Sequence, residues 1–273
     1  MKRNTMTIDC YWWAGVVEKN ERNFGDIITP HIVRKLSGME PVHVLDRGGR
    51  YLCSGSILPD LKEGDVVWGS GVVQPDDLKR VPNGVKFYAV RGPLTRDLLV
   101  KKFGQEVPEI YGDPCLLIPK LFKIPPVTRE FIGIAPHVIE YKAITKPGNP
   151  FYDWYSTYGK FNGYVLIDIN SGFEPVIQAI NKCAYVLSSS LHALMLADAL
   201  GIPNGYAHFV HPYTMSSWKF HDYFLSVNRP LTRPIDCSKA VNSSLTYSGI
   251  EFDYDKFLSS CPFNFTKTTL NGG

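Results

Sequence analysis

Short apolar runs closed by turn residues alternate along this chain with stretches of helical spacing. Residues 6–13 (MTIDCYWW) are apolar enough for a first strand, and 28–36 place apolar residues at helical intervals up to Gly38, a helix-ending glycine. The polar residues between them read as a loop that ends in Asn23-Phe24-Gly25-Asp26. Brief β-branched or apolar runs at 41–44, 51–54, 65–69 and 85–90 predict buried strands. A helix follows from Pro93 to about Lys102, with proline at the first position, where a missing N–H costs nothing. The proline-rich passage 114–126 reads as a linker. Beyond it, strands are expected at 131–136, 164–167 and 185–188 and helices at 174–182 and 191–200, while the last forty residues are turn-rich and aperiodic. Strand–helix alternation in both halves predicts an α/β protein of two Rossmann-like domains facing a cleft, residues 1–125 and 126–273, the second with an irregular tail. In such sheets ligands lie beyond the carboxyl ends of the strands, so site residues belong in the loops leading from strands into helices.

Composition narrows the class. Among 273 residues, 29 Lys and Arg against 26 Asp and Glu leave a charge of +3, and 44% hydrophobic content with 20% charged residues excludes wholesale disorder. A charge of +3 is too small for a nucleic-acid partner. The six cysteines are far apart, without a Cys-x-x-Cys pair, and read as small buried apolar residues. No apolar stretch is long enough to span a membrane, and the basic N-terminus lacks the apolar run of a signal peptide, so a cytoplasmic location is expected. In that compartment the sequons at 242–244 and 264–266 have no consequence. The chain contains no phosphate-binding Gly-x-x-x-x-Gly-Lys-Ser/Thr, no His-x-x-x-His pair and no Gly-x-Ser-x-Gly elbow, which argues against a P-loop kinase and a covalent serine mechanism; no metal is expected.

Three loops carry candidate chemistry. Arg91, in Val90-Arg91-Gly92-Pro93, ends a strand beside a helix N-terminus and either binds an anion there or satisfies carbonyls in a tight turn. Ser188-Ser189-Ser190-Leu191-His192 passes from a strand into an apolar helix; the serines can cap it, and His192 is either a structural histidine or, with the N–H groups and hydroxyls of the first turn, a ligand for a phosphate or carboxylate. In Asn23-Phe24-Gly25-Asp26, Gly25 permits a sharp turn, and Asp26 either caps the helix or acts as a general base. His137, after the strand 131–136, also points toward the cleft. Gly69-Ser70-Gly71 is a close-approach loop, Gly112-Asp113-Pro114 a turn, and 218–223 a solvated aromatic loop or a ligand contact.

In their order and spacing, Asn23-Phe24-Gly25-Asp26, Trp68-Gly69-Ser70-Gly71, Val90-Arg91-Gly92-Pro93, Gly112-Asp113-Pro114, Ala135-Pro136-His137 and Ser188-Ser189-Ser190-Leu191-His192 resemble the polysaccharide pyruvyl transferase family across about residues 20–225. The resemblance implies a two-domain GT-B-like fold and transfer of pyruvate from phosphoenolpyruvate to a sugar as a ketal, with no cofactor beyond that donor. Many members carry Arg before the Leu-His pair; the Ser190 version is similar to the branch acting on bacterial exopolysaccharide and capsule repeats, and Lys219 is expected to supply the cation. The implied roles are His192 as acid, Asp26 as base, Arg91, Ser189, Ser190, His192, Lys219 and His137 as donor ligands, and Asn23 with Asp26 on the acceptor. A lipid-linked oligosaccharide acceptor would bring the protein to the inner face of the cytoplasmic membrane. On this reading Arg91→Ala loses donor binding and keeps the fold. Two other functions share the architecture, a nucleotide-sugar glycosyltransferase and a non-catalytic glycan-binding protein.

Overall fold

The computed structural model describes residues 6–13, 23–212, 215–241, 247 and 249–263. Both sequons, residues 1–5 and most of the polar loop before Asn23 lie outside them. The described chain runs β1 (Thr7–Cys10), α1 (Phe24–Ser37), β2 (Glu40–His43), β3 (Tyr51–Leu52), β4 (Val66–Trp68), β5 (Lys86–Ala89) and α2 (Pro93–Phe103). It continues through α3 (Ile118–Leu121), β6 (Phe131–Ala135), α4 (Val138–Ile144), α5 (Pro150–Thr157), β7 (Tyr164–Leu166), α6 (Phe173–Asn181), β8 (Cys183–Ser188) and α7 (Leu191–Ala199). It ends with β9 (Asn204–His208), α8 (Trp218–Ser226), β10 (Ile235–Asp236) and α9 (Tyr254–Ser259).

Among the described residues the strands form two five-stranded parallel sheets, ordered β2-β1-β3-β4-β5 and β10-β9-β8-β6-β7. Each half is therefore α/β and Rossmann-like. The strand order reverses at β1/β3 in the first sheet and at β6/β8 in the second, and a crevice opens at such points because the following helices leave on opposite faces. No helix of the described residues is long and apolar enough to cross a membrane.

The halves share a core. Ile28 and Ile32 of α1, Cys115 to Ile118, Val176 and Ile180 of α6, and Leu194 to Ala197 of α7 form one buried cluster. The passage read as a linker is thus divided: 114–121 are two short helical turns with six buried residues, and only 122–130 run without regular structure. Prolines at 114 and 119 suggested a linker, yet each sits in the first turn of a helical segment, where proline is tolerated.

Helix α1 begins one turn earlier than its apolar periodicity suggested and carries Pro30 in its interior. Pro30 removes the N–H that would bond the Asp26 carbonyl, so the first turn looks irregular in sequence though it is helical in the fold. The segment read as a solvated aromatic loop or a ligand contact is α8, with Lys219, Phe220, Asp222, Tyr223 and Phe224 buried.

Candidate active site

The loops at both switch points face one another across a cleft of about 580 Å³. After β1 and β3 come Trp13, Asn23, Asp26, Ser56 and Ile57; after β6 and β8 come His137, Val138, Ser190, Leu191 and His192; α8 adds Lys219. Of the residues singled out in the sequence, Asn23, Asp26, His137, Ser190, His192 and Lys219 therefore meet here, and Arg91 and Ser189 do not line the cleft.

The walls differ in charge. Among the described residues, the N-terminal wall presents Asp26, Asp60 and Asp77 and no Lys or Arg, whereas the C-terminal wall presents Lys219, His137 and His192 and no carboxylate. The first turns of α1, α7 and α8 open onto the cleft, and helix N-termini carry partial positive charge. Ser190 caps α7 in position only, its hydroxyl making no capping bond, and lines the cleft instead.

Asp26 accepts a 2.9 Å hydrogen bond from the Asn23 amide. Burial pushes its carboxyl up to about 6, opposed by His192, the Asn23 bond and Lys219. Lys219 is 8% exposed and makes no hydrogen bond or ion pair with the described residues; its ammonium lies 5.4 Å from the Phe220 ring. Burial, then the nearby Arg91 charge, pull it down to about 8, with Asp26 acting the other way. His137 is drawn down to about 3 by burial, with Lys219 and His192 adding to the shift. It is a neutral ring at neutral pH, its Nδ1 accepting from the Ile139 N–H at 3.4 Å, and so supplies a hydrogen bond to the cleft and no charge. Ser189 is fully buried; its hydroxyl donates to Glu140 and accepts the His137 N–H at 2.8 Å, which places it behind the wall.

His192 is held from two sides. Nε2 lies 3.2 Å from Ser54 Oγ and 3.5 Å from Asp113 Oδ2. On its other edge the ring packs on Gly25, where a Cβ would fall inside the contact shell of Nδ1 and lie 2.8 Å from Cγ. Gly25 is helical, and its backbone needs no positive φ. The glycine that suggested a sharp turn serves close approach instead.

Arg91 has a different place from the one its sequence position suggested. The guanidinium is 1% exposed and donates to Asp222 Oδ2 (3.1 Å), Ser56 Oγ (2.8 Å) and the Val72 carbonyl (2.6 Å). Asp222 also accepts from the Thr95 N–H (2.9 Å) and hydroxyl (2.7 Å) in the first turn of α2. The anion bound by this arginine and this helix N-terminus is thus a side chain of α8. Gly71 and Gly92 permit the approach, since a Cβ at Gly71 would sit 2.6 Å from the Arg91 Cζ and one at Gly92 2.5 Å from Asp222 Oδ1. On the next residue, Tyr223 donates to Asp198 at 2.7 Å, and Arg229 ties Asp198 (2.9 Å) to Asn204 (2.7 Å). Helix α8 is pinned to both halves, and Lys219 hangs from it into the cleft.

Arg91→Ala is therefore expected to destabilise the protein by about 3–5 kcal/mol, because it strands the buried Asp222 carboxylate. Denaturant unfolding checks this; a loss under about 1 kcal/mol would show that the pair does not hold α8.

No curated protein and no solved structure matches the chain. A family model described as polysaccharide pyruvyl transferase matches residues 42–204, well over half of the 273. Arg91, Asp113, His137 and His192 fall inside that span, while Asp26 and Lys219 lie outside it. With two parallel-sheet halves around one cleft and more than half its length matched, the chain belongs to the polysaccharide pyruvyl transferase family.

Proposed function

We propose that the protein transfers pyruvate from phosphoenolpyruvate to a sugar of a bacterial capsular or exopolysaccharide repeat, forming a cyclic ketal and releasing phosphate in a GT-B-like cleft. The observation that carries this reading is Lys219, a buried cation with no hydrogen-bond partner among the described residues, which lines the same cleft of about 580 Å³ as His192 and Ser190. A small donor with a phosphate and a carboxylate would neutralise that charge and meet the first turn of α7. The acceptor, rich in hydroxyls, suits the opposite wall, where Asn23 and Asp26 stand and Trp13, 52% exposed, offers a ring face. A lipid-linked acceptor would hold the enzyme at the cytoplasmic face of the membrane.

The proton inventory fits the residues. A proton from His192 to the methylene carbon makes the methyl group and an oxocarbenium-like centre. Asp26 takes the proton of the first attacking hydroxyl. Departure of phosphate regenerates the cation, a second hydroxyl of the same sugar closes the ketal, and of the two hydroxyl protons lost one restores His192 and one leaves on phosphate. Asp26, drawn to about 6 by burial, is suited to accept and return a proton near neutrality.

A pH profile follows. The base must be ionised, so activity rises through about 6; the Lys219 ammonium must be charged, so it falls through about 8. The kcat/KM for the donor is expected to be bell-shaped between these limits, and Asp26→Asn should lower the plateau and remove the acidic limb. A flat profile from pH 5 to 9 would contradict both roles.

Lys219→Met keeps the apolar stem and removes the charge. Donor binding is expected to weaken about ten- to hundredfold, the worth of a charge-assisted contact. The unliganded protein should become more stable. A lysine whose folded value is depressed costs stability fully below about 8, and the cost fades as pH rises toward 10.5. The gain should be larger at pH 7 than at pH 10, and paired calorimetric scans at the two pH values measure it.

The function itself is tested by incubating the protein with phosphoenolpyruvate and a lipid-linked acceptor, then measuring phosphate release and the mass of the acceptor. Phosphate release with a pyruvate ketal on the acceptor supports the reading. Thermal stabilisation by nucleotide sugars with no response to phosphoenolpyruvate would overturn it in favour of glycosyl transfer.

A further inference from the structure

Gly112-Asp113-Pro114 has the composition of a simple turn, and Asp113 does cap one: its carboxylate accepts the Cys115 N–H at 2.9 Å. The remaining contacts exceed what a turn requires. Asp113 is fully buried, and it also accepts the Gly55 N–H at 3.3 Å and the Ser54 hydroxyl at 2.8 Å. Ser54 and Gly55 come from the loop after β3, 58 to 59 residues away in sequence, and His192 from α7 reaches the same carboxylate. Elements of both halves converge on one side chain.

The hydrogens in this cluster can be counted. A serine hydroxyl has one proton, and Ser54 gives it to Asp113. Its contact with His192 Nε2 at 3.2 Å must then be a bond that Nε2–H donates. Asp113 Oδ2, 3.5 Å from the same nitrogen, is an acceptor as well. Both neighbours ask for a proton on Nε2, and neither can supply one. In a neutral imidazole the other nitrogen then carries the lone pair, and Nδ1 lies against Gly25 in the first turn of α1, next to Asp26.

We infer that Asp113, with Ser54, is the positioning residue that fixes His192 as the Nε2–H tautomer and reserves Nδ1 for proton transfer at the cleft. The kinetic consequence rests on the proposed role of His192; the tautomer does not. Without the clamp the ring could place its proton on Nδ1 and turn its lone pair inward, where it can neither take up a proton from the cleft nor deliver one.

The test is a two-bond ¹H–¹⁵N spectrum of protein labelled at histidine, without donor, with the His192 resonances assigned by their loss in His192→Gln. The parent protein is expected to show Nε2–H. In Asp113→Asn the amide would offer an N–H toward Nε2, so the tautomer should invert to Nδ1–H. Turnover with phosphoenolpyruvate should fall about 10²–10⁴-fold, the size of a general acid–base contribution, with donor KM little changed. Ser54→Ala keeps the carboxylate and should retain Nε2–H with a smaller loss of turnover. A merely structural Asp113 predicts a lower melting temperature with the tautomer unmoved, and that result would overturn the inference. Should Asp113→Asn fail to fold, the parent spectrum still decides, because Nδ1–H there removes the clamp. Nε2–H in the parent and inversion in Asp113→Asn, with no phosphate released from phosphoenolpyruvate by any form, would leave the clamp standing and remove the pyruvyl-transfer reading.

Discussion

Gly25→Ala is expected to abolish turnover while the protein stays folded. Judged locally the change is favourable, since Gly25 is helical and alanine is worth about 1 kcal/mol over glycine inside a helix. Judged in three dimensions it cannot be accommodated. The new Cβ would lie 2.8 Å from His192 Cγ and 2.9 Å from Cε1, with Nδ1 nearer still. Helix α1 cannot retreat, because the Phe24 N–H is bonded to the Ile169 carbonyl at 2.8 Å and Ile28 and Ile32 are fully buried. The imidazole must swing away from Ser54 and Asp113 instead. Overpacking of this kind costs about 1–3 kcal/mol, which cancels or exceeds the helix gain. Losing an aligned proton donor costs about 10²–10⁴ in rate. The check is phosphate release beside a thermal melt, and a folded Gly25→Ala protein with parental turnover would show that His192 does not work from this position.

His192→Gln separates anchoring from chemistry. The glutamine amide keeps a hydrogen-bond donor at the mouth of α7 and has no proton to give to carbon. Donor binding is expected to be retained within a few-fold, while turnover at saturating donor drops by about 10²–10⁴. His192→Ala should lose both. Phosphate release by the Gln variant within a few-fold of the parent would reduce His192 to an anchor. His137 could not readily take over the acid role, because burial holds it at about 3 and it carries no transferable charge at neutral pH.

Much of the cleft was legible in the sequence because of where its residues stand relative to strands. Asn23, Asp26, His137, Ser190 and His192 each follow a strand and open a helix, and a parallel sheet delivers such loops to one edge. Lys219 was named through family resemblance, while its own segment read as a loop. In α8 a lysine and an aspartate are buried together with the aromatic residues, and charged side chains in a sequence ordinarily mark a solvated segment. The spacing of Phe220, Tyr223 and Phe224 after two serines was the signal available there. Asp113 was hidden for another reason. Its turn is ordinary, and its partners are distant in sequence, with Ser54 and His192 themselves 138 residues apart.

The sequence by itself determined the alternation of strands and helices, the two-sheet class and the loops that would carry chemistry, because these depend on hydrophobic periodicity and turn residues within a few positions of one another. The tertiary structure decided which charges remain available. Arg91 and Lys219 are both cations named in advance. One is spent on Asp222, 131 residues away, and the other is left facing the cleft. The tertiary structure also decided the proton affinities of Asp26 and Lys219, whose shifts arise chiefly from burial and then from neighbours brought in by other elements. The physical reason is range. Backbone pattern is written over three or four residues, whereas desolvation and ion pairing depend on everything the fold packs within a few ångströms.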